Sequence, residues 1–87
     1  MTGDGRYDAE IDTLRRDFGS RVRDLRLERG LTQEGLAEAT GLDRTFISNI
    51  EMGQRRPSLD VLLLLAMGLG LSLASLFDGL GPGLHEA

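Results

Sequence analysis

Eighty-seven residues suffice for one small domain, and 14 acidic against 10 basic side chains leave a net charge of −4. The absence of cysteine excludes disulfides and thiolate metal sites, and the single histidine, His85, is too few ligands for an imidazole site, so no metal or cofactor is expected. The polar, acidic start MTGDGRYDAE is unlike a signal peptide, and a cytoplasmic location is expected.

Residues 1 to 7 are expected to be disordered. From Asp8 the apolar residues Ile11, Leu14, Phe18, Val22 and Leu25 recur at steps of three or four, which predicts a long helix to Arg29. Gly19 lies inside it, weakening it by about 1 kcal/mol relative to alanine and marking a place where it can break. Gly30 ends the helix and Leu31 turns into the core.

Thr32 to Gly53, TQEGLAEATGLDRTFISNIEMG, predicts two short helices joined by a tight turn. Thr32 is an N-cap, with Leu36 and Ala37 forming the apolar face of the first. Gly41 stops that helix, because glycine accepts the left-handed conformation its C-terminus needs. Asp43 caps the next, its carboxylate facing the positive helix end. Over Arg44 to Met52, Phe46, Ile47 and Ile50 share one face, while Arg44, Thr45, Ser48 and Asn49 share the other. The second face is a row of side chains able to hydrogen-bond to base edges. Arg44 suits guanine and Asn49 suits adenine.

The loop Gln54-Arg55-Arg56-Pro57 places two arginines beside this helix, where phosphate contacts are expected. Ser58 caps a fourth helix. Val61 to Leu71, VLLLLAMGLGL, holds no polar side chain, yet is too short to span a bilayer, which takes about 20 residues. Gly68 and Gly70 are expected to interrupt it. Ser72 caps a fifth helix, Leu73 to Phe77, and Asp78 to Ala87 reads as a flexible tail. A domain this small cannot bury such a run on every side. Leu64, Met67, Leu71, Ala74 and Phe77 are therefore expected at a subunit interface, with Phe77 the one nearest to a core role.

The motif resembles the helix-turn-helix of Cro/repressor-type proteins, the xenobiotic response element family. The likeness rests on Thr32-Gln33, Leu36-Ala37, the Gly41 turn, Ile47, Ile50 and the Glu51-Met52-Gly53 exit, and it extends from about Phe18 to Phe77. It implies an all-α, five-helix, lambda-repressor-like bundle over residues 8–77, with the motif at 32–53. It also implies a homodimeric transcription regulator reading a two-fold operator, because two recognition helices must enter successive major grooves about 34 Å apart.

Arg44, Thr45, Ser48 and Asn49 would then read bases. Gln33, Phe46, Arg55 and Arg56 would meet the sugar-phosphate backbone, with Arg21 and Arg23 as weaker candidates. Matching positions in the family pair Arg26 with Glu51 as a structural ion pair. Two departures stand out. Gly35 replaces a glutamate that would complete a capping box with Thr32, so the first motif helix is expected to fray. The segment from Asp8 to Asp17 extends the first helix beyond the family's usual start.

Short members with a fifth helix resemble the controller proteins of restriction-modification systems; others are phage repressors or antitoxins. The net acidity leaves a second reading open, a protein-interaction module of the same fold. The acidity is confined to the ends, however: Arg15 to Asp60 nets +1 and the remainder −5. An enzyme is not expected, since no nucleophile–base pair, carboxylate dyad or phosphate-binding glycine loop is present. Neither a membrane nor a small-molecule ligand is expected as a partner.

Overall fold

Four of the five helices begin on a side-chain oxygen that accepts a backbone N–H of the first turn. Thr32 Oγ1 accepts from Gly35 at 2.9 Å, Asp43 Oδ2 from Thr45 at 3.0 Å, Ser58 Oγ from Val61 at 3.2 Å and Ser72 Oγ from Ser75 at 3.1 Å. The computed structural model describes residues 3–81. Its helices are α1 (Asp8–Glu28), α2 (Gln33–Thr40), α3 (Arg44–Glu51), α4 (Leu59–Leu69) and α5 (Leu73–Leu76), with no strand among the described residues. Gly41 closes α2 at φ 77°, the left-handed turn that sets α3 across α2.

The core is built from one apolar stripe of each helix. Phe18, Val22 and Leu25 of α1 meet Leu36 of α2, Ile47 and Ile50 of α3, Leu65, Ala66 and Leu69 of α4, and Leu76 of α5. Ile11 is half-buried and Leu14 is exposed, so the first two turns of α1 project past this core.

Two glycines have roles that differ from their sequence reading. Helix α1 runs unbroken through Gly19. A Cβ there would lie 2.4 Å from the Ile50 carbonyl oxygen and 2.6 Å from that of Glu51, so the missing side chain is what lets α1 touch the end of α3. Gly68 does not interrupt α4. A Cβ there would meet Thr40 Cγ2 at 2.6 Å, so it admits the end of α2, and Gly70 at φ 73° ends the helix.

Helix α2 keeps its Thr32 cap although Gly35 cannot return the reciprocal bond. Over 3–7, the chain forms turns with Arg6 paired to Asp4. Asp78 to Gly81 was expected as free tail, yet Leu80 packs against the core, since an apolar side chain within reach of Phe77 buries there. Residues 1–2 and 82–87, which include His85 and the rest of the expected tail, lie outside the described residues.

Candidate nucleic-acid interface

Asp43 starts α3 so that Ile47 and Ile50 point inward and are fully buried. The opposite face therefore points out. Arg44 and Thr45 are exposed, and Ser48 and Asn49 are half-buried on the following turn. All four expected base-reading residues share one outward face.

Behind this face lies a chain of polar contacts. Arg26 of α1 grips Glu51 at the end of α3 with two bonds, Nε to Oε2 at 2.7 Å and Nη2 to Oε1 at 3.1 Å. Its third nitrogen, Nη1, donates to the Leu31 carbonyl at 2.9 Å. Both side chains are nearly sequestered from water, at 10% and 4% exposure, and such a pair persists because either charge alone would be costly. The hydrogen bond from Arg26 to Glu51 raises the arginine above its ordinary pKa, against the opposite pull of burial.

Gln33 at the start of α2 joins the pair. Its Nε2 donates to Glu51 Oε1 at 3.1 Å, and its Oε1 accepts from Arg44 Nη1 at 3.2 Å. The ion pair thus fixes which way the Gln33 amide faces, and the amide in turn holds Arg44. One amide hydrogen of Gln33 is committed and its second is left for a ligand.

The arginines divide into two groups. Arg6, Arg15, Arg26 and Arg29 pair with carboxylates. Arg21 donates to the Ser75 and Leu76 carbonyls at 2.6 and 3.2 Å, satisfying the end of α5. Arg29 also bonds the Leu69 carbonyl at the end of α4. Arg16, Arg23, Arg44, Arg55 and Arg56 have neither kind of partner among the described residues.

These five gather around α3. Arg23 borders a hollow of about 240 Å³ with Ser48, Glu51 and Met52. The Arg55 guanidinium lies 4.7 Å from the centre of the half-buried Phe46 ring, a cation–π contact that holds it beside α3. Arg56 follows in the same loop. Arg16 packs against Gly53, at the exit of α3. Arg21, one of the weaker phosphate candidates, is not part of this group. Arg16 is, and no motif in the sequence singles it out.

Two helices, a left-handed glycine turn and an outward polar face on the second form a helix-turn-helix, and the helix-turn-helix family model matches residues 22–76, more than half of the chain. The chain belongs to the helix-turn-helix family, of xenobiotic response element type. This helix-turn-helix protein is 44% identical over 62 residues to the control protein C.MunI of Mycoplasma sp, covering 70% of the chain and 84% of the relative. Among solved structures, it is similar to the restriction-modification controller protein C.AhdI from Aeromonas hydrophila, with TM-score 0.70 and 45% identity over 75% of this chain and 97% of that one. It is also similar to the controller protein C.Esp1396I, solved as a tetramer with its natural 35-base-pair operator, with TM-score 0.70, 38% identity, and coverage of 75% and 86%.

The expected interface residues lie away from α3. Leu64 and Met67 are exposed on α4, Ala74 is exposed on α5, and Leu71 is half-buried against the core. Phe77 turns toward α1, its ring 5.8 Å from Phe18. Leu59 and Leu63, 74% and 47% exposed, extend the apolar ridge one turn at a time below Met67. Sequence reasoning missed them because an unbroken leucine run does not reveal which side faces out. No helix among the described residues is long and apolar enough to cross a membrane, and among them no group of three or more carboxylates is placed to hold a metal.

Proposed function

We propose that this helix-turn-helix protein is a homodimeric, sequence-specific DNA-binding regulator of transcription that acts on a two-fold operator. The observation carrying this reading is the outward face of α3, four hydrogen-bonding side chains including Arg44, with four further arginines without carboxylate partners, Arg16, Arg23, Arg55 and Arg56, on α1 and in the loop after α3. Arg44, Thr45, Ser48 and Asn49 read base edges. Arg55, Arg56 and Arg23 meet phosphates, and the free amide hydrogen of Gln33 does the same at the positive end of α2. Phe46 holds Arg55 in place and lines the sugar-phosphate edge. The apolar ridge of Leu64 and Met67 on α4, continued by Leu71 and by Ala74 on α5, joins two copies, and Phe77 closes it toward α1. The similarity to restriction-modification controller proteins supports a role of that kind.

The test is selection of an operator from random duplexes, followed by Arg44→Ala. Loss of the bidentate fork should cost about 1–3 kcal/mol on the selected site and relax preference at one base pair per half-site. Equal weakening on every sequence would place Arg44 on phosphate instead. The net charge of −4 favours a second reading, a protein-interaction module of the same fold. Binding to duplex DNA that does not fall steeply with salt would support that module and sink the regulator.

A further inference from the structure

The family span begins at residue 22, but α1 begins at Asp8, nearly four turns earlier. Resting on the DNA-binding reading above, we infer that this extension serves the DNA interface: Arg16 is a phosphate contact on the DNA flanking the bases read by α3.

Gly53 leaves α3 at φ 73°, and a Cβ built there would lie 3.0 Å from Arg16 Cγ, 3.1 Å from its Cα and 3.3 Å from its backbone nitrogen. The stem of Arg16 is therefore laid directly on the α3 exit, just before Gln54 and Arg55. Gly19, one turn along, removes the side chain that would hold α1 away. Asp12, the acid one turn behind, is taken by Arg15, and the Arg16 head makes only a 3.5 Å contact to Thr13 Oγ1. Its charge is exposed and uncommitted.

Arg16 and Arg23 are seven residues apart, which puts them on one face of α1 about 10.5 Å apart. Arg23 borders Ser48 and Met52, and Arg16 borders Gly53, so together they continue the basic rim of α3 onto α1. A phosphodiester passing the end of α3 meets this rim. Contacts of this kind carry no sequence information, and their signature is the counterions they release.

The experiment is fluorescence anisotropy with the full chain and a random-sequence 30-base-pair duplex across a salt series. Arg16→Ala should flatten the slope of log affinity against log salt by about 0.9 for each bound subunit. Arg16→Lys should restore it, since a point charge suffices for phosphate. Arg6→Ala, a change of equal charge far along the chain, should leave the slope within error. Circular dichroism checks that each variant is folded. A wild-type slope in Arg16→Ala, with a reduced slope in Arg55→Ala, overturns the inference and leaves the DNA-binding reading intact. A wild-type protein with no salt-dependent binding overturns the DNA-binding reading itself.

Discussion

Replacing Gly19 by alanine separates a local argument from a tertiary one, because the two give opposite signs. Within an isolated helix the change is favourable by about 1 kcal/mol. In the folded protein the new methyl would lie 2.4 and 2.6 Å from two backbone oxygens at the end of α3. An ordinary carbon–oxygen approach is about 3.3 Å, so α1 must retreat by roughly 0.9 Å to clear the nearer oxygen. No side-chain rotation relieves a clash between a Cβ and backbone. Overpacking of this kind costs about 1–3 kcal/mol, and this site belongs at the upper end. Setting the helix gain against it leaves a net loss of about 2 kcal/mol, a fall in Tm of roughly 8–16 °C for a domain of this length. Thermal melts followed by circular dichroism at one fixed protein concentration measure it, because the proposed dimerisation would make Tm concentration-dependent. Ser20→Ala, on the next, exposed position, serves as the control and should be neutral or slightly stabilising. A Tm for Gly19→Ala equal to or above the wild type would refute the close-approach argument.

Glu51→Ala leaves the Arg26 guanidinium buried without its carboxylate partner, only the Leu31 carbonyl still accepting from it, and should cost about 3–5 kcal/mol in urea unfolding. Because the folded-state pKa of Arg26 is raised, its share of stability is complete below the ordinary arginine range and is lost only as pH rises through the raised value. The penalty should therefore be flat between about pH 6 and 9, and a penalty that varies across that window would point to another titrating group. Met67→Glu, at a 68% exposed position, should give a folded monomer. Burial of such a side chain is worth about 1.5–3 kcal/mol, and each dimer holds two copies, so dissociation should rise by about a hundredfold or more in sedimentation equilibrium. A dimer of unchanged affinity would remove the α4 ridge from the interface.

What the sequence discloses about this fold is what is local. Thr32, Asp43, Ser58 and Ser72 act on amides two or three residues away, and Gly41 acts on its own backbone, so helix starts and the central turn can be read from neighbouring letters. The outward face of α3 follows from the period of eight residues. The pairing of Arg26 with Glu51 joins positions 25 apart, and it is legible only through resemblance to a family. The use of Gly19 is hidden altogether, because its partners belong to another helix. So are the bonds from Arg21 and Arg29 to helix ends 55 and 40 residues away, which turn apparently free charges into structural ones. Arg16 is the reverse case: it looks like one more solvated arginine until Gly53 is placed against it.

Helix α1 holds the other elements in two directions. Toward one side, Arg26 fixes the end of α3; toward the other, Arg29 and Arg21 hold the carbonyl ends of α4 and α5. It joins α3, the proposed reading helix, to the helices that carry the apolar ridge, alongside the direct approach of α4 to α2 at Gly68 and Thr40. In the proposed two-fold dimer built on that ridge, the separation of the two α3 helices would follow from how the ridge is held to the motif, through Arg21, Arg29 and Gly68, residues that face no base. Operator half-site spacing would then depend on packing behind the motif, and operator sequence on Arg44 to Asn49.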